Sequence, residues 1–192
     1  MKQTTKRIYY HGTSADNLES ILKHGLSTSE EKLWSCSEDG IYLWDVIELA
    51  KANGRDLEED ADYIKEEAFR MGVESGEIAC SKAKDCRVVV LQIELDESEV
   101  YDDTSCENMQ GSGAKVIYRD IKLSEILEIQ VSNDLSLLRG YFIGIIMDRD
   151  YCNIEFDRIE QKIAEAFKKS EICLDDIDDV IEFETVEIPQ MA

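Results

Sequence analysis

Basic residues are scarce in this sequence, with 21 Lys+Arg against 43 Asp+Glu in 192 residues, for a formal net charge of −22 at pH 7. A surface this anionic repels phosphate backbones and anionic lipids, which disfavours a nucleic-acid-coating protein or a membrane-surface binder. Hydrophobic residues make up 43% of the chain, too many for a disordered acidic segment. Length and composition therefore predict one folded domain, or one domain with a modest extension.

Long apolar runs and cysteine motifs are also missing. The longest apolar runs, 88–91 and 141–147, fall far short of the ~20 residues that span a bilayer. The charged N-terminus is not followed by an apolar leader with a cleavage site. The six cysteines show neither Cys-x-x-Cys nor Cys/His spacing, which favours reduced thiols over a zinc site. We therefore expect a cytoplasmic protein that binds no metal.

Hydrophobic patterning predicts mainly strands in the first two-thirds of the chain and helices in the last third, which is an α+β arrangement. The predicted strands are Arg7–Tyr10, Gly40–Trp44, 87–95, 114–119 and 127–131, and 140–147 fits a strand or a buried helix. The predicted helices run from Ser14 to His24, from Asp45 to Ala52, over 56–71 and over 153–169. A long polar loop over 96–113 and an acidic tail over 171–192, a short helix or a solvated end, complete the chain. These elements divide into a core at 1–135 and a C-terminal strand and helical extension at 136–192.

The first candidate functional motif is His11-Gly12-Thr13-Ser14, where the first strand is predicted to end in a polar turn before a helix. Glycine lets the backbone approach a ligand closely, and hydroxyls and the N–H groups of a helix start can hold polar ligand atoms. An imidazole at this place can donate or accept a hydrogen bond. Taken alone, such a motif is more often an ordinary turn than a binding site.

The second candidate motif is Gly40-Ile41-Tyr42-Leu43-Trp44, a short predicted strand with a tyrosine at its centre. A tyrosine here can offer its ring face to a flat ligand and its hydroxyl as a donor. Taken alone, a strand tyrosine usually belongs to the core or to a half-buried surface.

In their order and surroundings the two motifs resemble the ADP-ribosyltransferase superfamily, in its His-Tyr-Glu branch. This branch includes the poly(ADP-ribose) polymerases and the tRNA 2′-phosphotransferases. The matching segments are His11-Gly12-Thr13-Ser14, Ile21-Leu22-Lys23-His24-Gly25-Leu26 and Gly40-Ile41-Tyr42-Leu43, within a resemblance that covers residues 7–131. The resemblance implies split antiparallel β-sheets with flanking helices that grip NAD+ in a bent conformation.

The resemblance also implies a role for each matching residue. His11 would hydrogen-bond the adenosine ribose, the backbone of Gly12 would hold the nicotinamide carboxamide, and Tyr42 would stack on the nicotinamide ring. Thr13 and Ser14 would assist nearby. The implied reaction cleaves the nicotinamide–ribose bond of NAD+ and transfers ADP-ribose to a protein or small-molecule acceptor, or to water, without a metal.

The third residue of the family's triad departs from the pattern. A glutamate is expected at the start of the penultimate strand, near Ala114 or Lys115, and no acid stands there. Breaking the glycosidic bond creates an oxocarbenium-like centre, so the site needs a group that stabilises positive charge at the ribose. The preceding loop offers Glu107, which would supply that charge, and Gln110, which would bind the ribose without it.

Three hypotheses remain open from the sequence: an NAD+-using enzyme, a catalytically silent module that binds NAD+ or ADP-ribose, and an acidic interaction or inhibitor protein. RNA phosphotransfer would use basic residues such as Lys115 to hold a phosphate. It is disfavoured because that branch acts on RNA and carries several arginines, whereas this chain offers for such a site Arg87, Arg119 and in third place Arg55, among many carboxylates. Neither nucleic acid nor a membrane is expected as a partner.

Overall fold

The computed structural model describes residues 5–28, 40–52, 54, 56, 61–80, 83, 85, 87–104, 113–133 and 182–189. In this part of the chain the strands are β1 (Lys6–Ser14), β2 (Ile41–Asp45), β3 (Val88–Asp96), β4 (Tyr101–Asp102), β5 (Ala114–Ile117), β6 (Ile126–Ser132) and β7 (Phe183–Thr185). The helices are α1 (Leu18–His24), α2 (Val46–Ala52) and α3 (Ala61–Cys80). The predictions for Glu107, Gln110, 140–147 and 153–169 lie outside the described residues.

The described strands form an antiparallel sheet in the order β4-β5-β2-β1-β3-β6-β7. β1 pairs with β3 along its whole length. Its pairing with β2 is limited to Tyr9 opposite Asp45 and Tyr10 opposite Trp44. The α+β prediction is confirmed for this part of the chain, with β1 at the centre of the sheet.

Two apolar layers cover the two faces of this sheet. Successive residues of a strand point to opposite faces, and β1 and β3 contribute buried residues to both layers. The first layer, under α1, includes Tyr9, Ile21, Leu43, Leu91 and Ile129. The second layer, under α3, includes Tyr10, Ala68, Val73, Val88 and Val90. The centre of the sheet is therefore buried on both sides.

β1 runs through the His-Gly-Thr motif, so the predicted interruption of the strand after Tyr10 was wrong. Helix α3 crosses the strand at this place. A Cβ built on Gly12 would lie 1.7 Å from the carbonyl oxygen of Gly72 and 2.5 Å from the nitrogen of Gly76. Gly12 therefore serves the approach of a distant helix rather than a turn, and turn propensity at this position was misleading.

Helix α3 ends at Cys80, later than the helix predicted over 56–71. Glycine lowers helix propensity by about 1 kcal/mol relative to alanine, so Gly72 and Gly76 favoured an earlier end. Both glycines lie where α3 contacts the sheet, and a Cβ on Gly76 would lie 2.5 Å from a methyl group of Val88. Contact with the sheet outweighs the propensity cost of the two glycines.

Two further predictions fail for the described residues. The tail was expected to be helical or solvated, but Phe183–Thr185 forms β7 and pairs with β6. The loop over 96–113 contains strand β4, in which Tyr101 pairs with Val116 of β5. In both places a short segment pairs with a neighbouring strand and adds a strand to the sheet.

The end of α1 and the start of α2 lie where the capping residues of the sequence predict them. α1 stops at Gly25, which has a φ of 79° and donates its N–H to the carbonyl of Ile21 at 2.8 Å. α2 begins after Asp45, whose Oδ1 accepts the N–H of Ile47 at 2.9 Å. No helix among the described residues has both the length and the apolarity to cross a membrane.

A buried carboxylate ties β1, β2 and β5 together. Asp45 is buried, and Arg7 Nη1 lies 3.0 Å and Lys115 Nζ 3.9 Å from its Oδ2. Tyr9 stands directly opposite Asp45 in the sheet and is also buried. Burial, and then the negative charge of Asp45, raises the pKa of Tyr9 to about 12.

This shifted tyrosine predicts a stability loss at high pH. Because the folded protein holds the Tyr9 proton more tightly than the unfolded chain, stability present below pH ~10 is lost as the pH rises toward 12, by about 2–3 kcal/mol. Tyr9→Phe has no proton to lose and should show a shallower decline. Urea unfolding at pH values on both sides of ~10 gives the free energy of unfolding of the parent and of Tyr9→Phe. An equal decline with pH in the two proteins would contradict the prediction.

Candidate functional site

The candidate site is an opening in the sheet between the end of β1 and the start of β2. The described backbone pairs of these two strands stop at Tyr10 and Trp44. β1 nevertheless continues to Ser14, and β2 begins already at Ile41. Residues 11–14 and 41–43 therefore face each other across an opening, which we call the β1–β2 cleft.

His11 bridges this cleft. Its Nδ1 lies 2.8 Å from the backbone carbonyl oxygen of Tyr42. A carbonyl oxygen can only accept, so Nδ1 is the donor, and in a neutral imidazole Nε2 is then an acceptor. The bond thus fixes the orientation of the ring and the hydrogen-bonding character of its second nitrogen.

The backbone polar groups of Gly12 are directed into the cleft. Two hydrogen bonds show which residues of β1 bond to β3. Ala15 N–H donates to the carbonyl of Arg87, and Glu97 N–H donates to the carbonyl of Thr5, both at 2.9 Å. In an antiparallel pair, hydrogen-bonded residues alternate with residues whose N–H and C=O point away. Odd-numbered residues of β1 therefore bond to β3, and the N–H and C=O of Gly12 point toward β2.

The backbone of Tyr42 forms the other wall of the cleft. If the pairing of Tyr10 with Trp44 continued by two residues, Gly12 would stand opposite Tyr42. The carbonyl of Tyr42 instead accepts the Nδ1 hydrogen of His11. The imidazole of His11 thus bonds to the carbonyl group at the position where the next backbone pair would lie.

The side chain of Tyr42 leaves β2 on the α3 face. The strand alternates regularly between buried and half-buried residues. Trp44, two residues further on, donates its Nε1 hydrogen to Ser75 Oγ of α3 at 2.8 Å. Tyr42 therefore shares the α3 face, whereas alternation along β1 places His11 on the opposite side of the strand. The structure brings the two predicted residues next to each other at the cleft, with their side chains on opposite faces of the sheet.

The hydroxyls predicted to assist a ligand are both buried. Thr13 Oγ1 accepts a hydrogen bond from Asn17 Nδ2 at 2.9 Å. Ser14 precedes the short 3₁₀ turn that leads into α1. Thr13 thus stabilises the turn that follows β1. Its partner Asn17, four positions further along the chain, is a supporting residue that the sequence analysis did not identify.

The position expected for the family's glutamate is occupied by a cation that is held by carboxylates. Lys115 stands opposite Leu43 in the β2–β5 pairing. Its Nζ lies 2.5 Å from Asp102 Oδ1 and 3.9 Å from Asp45 Oδ2. The two residues proposed as substitutes for the glutamate lie outside the described residues.

The described arginines considered for a phosphate site are also paired with acids. Arg87 Nη2 lies 2.6 Å from Asp85 Oδ2. Arg119 Nη2 lies 2.6 Å from Glu99 Oε2 and 2.8 Å from Glu125 Oε1, and these hydrogen bonds raise the pKa of the guanidinium. Arg55 lies outside the described residues. Phosphate binding would therefore have to compete with an intramolecular carboxylate at each described arginine of this set.

A search of the described residues for metal ligands finds no group of three or more His, Cys, Asp or Glu side chains that could hold an ion. Cys80, the cysteine within the described part of the chain, is buried and its Sγ donates to the carbonyl of Arg87 at 3.4 Å. No protein-family model, curated protein or solved structure matches the chain. Support for a function therefore comes from the residues of the cleft.

Proposed function

We propose that the protein binds NAD+ in the β1–β2 cleft and acts as an NAD+-dependent ADP-ribosyltransferase or NAD+ glycohydrolase. The observation that carries this proposal is the opening itself, where the peptide groups of Gly12 face Tyr42 and His11 stands between the strands. In the finer fold assignment that belongs to the proposal, this opening is the split between the two sheets of an ADP-ribosyltransferase.

The cleft offers complementary groups for the two parts of the ligand. A carboxamide has a carbonyl acceptor and an NH2 donor group, and a single residue whose N–H and C=O point the same way can bond to both groups. The Tyr42 ring beside it provides a flat apolar surface for the nicotinamide. On the other side of the cleft, His11 Nε2 as an acceptor suits a ribose hydroxyl.

Holding both sides of the nicotinamide–ribose bond is the first requirement for cleaving it, because orientation supplies part of the barrier reduction. The second requirement is stabilisation of the positive charge that develops at the ribose. We assign that role to Glu107, with Gln110 as the candidate that would bind the ribose without supplying charge.

A catalytically silent NAD+ or ADP-ribose binding module is the second candidate function. It is favoured by one observation: Lys115, and not an acid, stands at the expected position on β5, and it is ion-paired with Asp102. Incubation with labelled NAD+, followed by mass spectrometry of the protein and of lysate proteins, separates the two. Transfer or hydrolysis supports the enzyme, and binding without either supports the module.

Removal of the stacking ring should weaken NAD+ binding. Tyr42→Ala is expected to lower affinity by about 1–3 kcal/mol, roughly ten- to a hundredfold, because a buried ring contact is lost. Titration calorimetry with NAD+ measures this change. Tyr63→Ala, at an exposed tyrosine of α3, is the matched control and should bind NAD+ like the parent.

Two substitutions of His11 separate its bond to Tyr42 from its contact with the ligand. Asparagine keeps an N–H donor close to the position of Nδ1 but has no equivalent of Nε2, whereas alanine lacks both. His11→Asn should therefore retain the parent's thermal stability and still bind NAD+ about 1–3 kcal/mol more weakly. Unchanged affinity in both His11→Asn and Tyr42→Ala, or a parent that does not bind NAD+, would show that the cleft is not the site.

A further inference from the structure

A small cavity lies beside Tyr10, on the face of the sheet that α3 covers. Its volume is about 10 Å³, which is room for one water-sized group. A row of three residues crosses its floor, because Tyr10 stands opposite Gln92 of β3, and Gln92 stands opposite Glu128 of β6. The remaining lining residues are Phe69 of α3, Val90 of β3 and Gln130 of β6. The cavity therefore combines a phenol, a carboxylate and two amides with an aromatic ring and an aliphatic side chain.

The hydroxyl of Tyr10 is a buried polar group that the described residues leave unbonded. Tyr10 is 6% exposed, and its hydroxyl forms no hydrogen bond with a described residue. Burial, and then the negative charge of Glu128, raises the pKa of Tyr10. The phenol oxygen thus lies within electrostatic reach of the carboxylate. Because buried polar groups nearly always have a hydrogen-bond partner, this hydroxyl points to an occupant of the cavity.

Glu128 supplies the charge of the cavity. Its side chain is half-buried, and its Oε1 accepts from Gln130 Nε2 at 2.9 Å and from Thr185 Oγ1 at 3.3 Å. Neither of these bonds uses Oε2, and no lysine, arginine or histidine of the described residues forms an ion pair with Glu128. A carboxylate withdrawn from water is stabilised by a cation within hydrogen-bond distance.

The charge and the size of the cavity together favour a primary ammonium group. This group has three N–H donors, and the carboxylate, the phenol oxygen and the amide oxygens of the lining can accept them. The ring of Phe69 adds an apolar surface that attracts cations. A guanidinium is broader than an ammonium and a phosphate has the wrong charge, so neither fits as well.

We propose that this cavity binds the primary ammonium group of an alkylamine, which is either a lysine side chain of another protein or a free amine. The ammonium donates to Glu128 Oε2, to the hydroxyl oxygen of Tyr10 and to the amide oxygen of Gln92, beside the ring of Phe69. Gln92 and Glu128 are half-buried, which leaves the group reachable from solvent. The inference does not depend on NAD+ binding.

The test is an NMR titration of the full chain with butylammonium chloride near neutral pH, in which the side-chain amide signals of Gln92 and Gln130 are followed. Potassium chloride at the same concentration is the reference for ionic strength. The parent should show saturable shifts of both signals with the amine and not with the potassium salt.

Two substitutions that conserve shape test the contacts. Glu128→Gln keeps an acceptor for Gln130 and Thr185 but removes the charge, and it should weaken binding about tenfold. Tyr10→Phe removes the hydroxyl alone and should weaken binding about threefold or more. Glu94→Gln is the matched control, since Glu94 shares the face of Gln92 two residues along β3 and does not line the cavity. It should bind butylammonium like the parent.

Four outcomes would overturn the inference: shifts that potassium chloride reproduces, undiminished binding by Glu128→Gln, an equal loss in Glu94→Gln, or no shift in the parent. The last result would mean that the cavity takes a water molecule only. Thermal melting checks the fold of each variant, and if Glu128→Gln does not fold, undiminished binding by Tyr10→Phe is the result that overturns the inference.

Two further ligands distinguish the sources of the ammonium group. N-acetyl-lysine amide represents a lysine side chain within a protein, and putrescine represents a free amine. Tighter binding of the lysine derivative supports a protein partner, and tighter binding of putrescine supports a small-molecule ligand.

Discussion

Replacement of Gly12 by alanine is expected to lower the free energy of unfolding by about 3 kcal/mol or more. The added Cβ would lie 1.7 Å from the Gly72 oxygen and 2.5 Å from the Gly76 nitrogen. Both are backbone atoms, so no side-chain rotation relieves the clash and the whole helix has to move away from β1. Urea unfolding of the variant and the parent measures the difference.

Gly72→Ala is the matched control on the other side of the same contact. A Cβ at this position would meet a methyl group of Val90 at 3.1 Å and Tyr10 Cβ at 3.5 Å, both side-chain atoms. The gain in helix propensity, about 1 kcal/mol, offsets this crowding, so stability should stay within about 1 kcal/mol of the parent. A Gly12→Ala protein as stable as the parent would mean that α3 does not contact β1 as closely as described.

Gly12 therefore has two consequences that a single substitution cannot separate. Its missing side chain admits α3, and its backbone N–H and C=O face the β1–β2 cleft. An alanine variant that lost NAD+ binding together with stability would say nothing about the ligand. His11→Asn and Tyr42→Ala leave the α3 contact intact, so they are the informative tests of the cleft.

The elements that local signals determine were predictable from the sequence. Strand β3 follows a continuous apolar run, as a strand buried on both faces should. The start of α2 at Asp45 and the end of α1 at Gly25 follow from a capping carboxylate and from a residue that tolerates a positive φ. Each of these depends on a few neighbouring residues, which is why patterning was sufficient.

The elements that were missed depend on distant contacts. β1 continues past Tyr10 because α3 lies on Gly12, a contact between residues about 60 positions apart. α3 continues through Gly72 and Gly76 for the same reason. β7 forms because Phe183–Thr185 pairs with the edge of β6. The sequence of this segment alone does not indicate that pairing. No local propensity contains this information.

The candidate site also combines features that the sequence predicts with features that it does not. The sequence identified His11, Gly12 and Tyr42 as a group through a resemblance to known enzymes. It did not indicate that the two strands separate at Gly12, nor that the His11 ring takes the carbonyl of Tyr42. Both facts follow from the registers of β1 with β2 and β3, and strand register is decided by the assembled sheet.

The described residues on either side of Glu107 bring the chain close to the cleft. Asp103 N–H donates to the carbonyl of Ala114 at 3.0 Å, and Ala114 stands opposite Trp44 of β2. The chain therefore departs and returns beside Trp44, two residues along β2 from Tyr42. Glu107 itself lies outside the described residues.

Glu107→Gln is then expected to lower NAD+ turnover by about a hundredfold or more while NAD+ affinity changes little. The ionised carboxylate would interact more strongly with the cationic transition state than with the substrate, and a contact of this kind raises the rate without tightening binding. Nicotinamide release measures turnover, and calorimetry measures affinity. Glu66→Gln, the same substitution at an exposed position of α3, should leave both unchanged. Full turnover in Glu107→Gln would exclude Glu107 from the role. If Gln110→Ala is silent as well, or the parent binds NAD+ without turnover, the protein is better explained as a binding module, because a cleft without a charge beside the ribose can hold the cofactor but has no means to stabilise its cleavage.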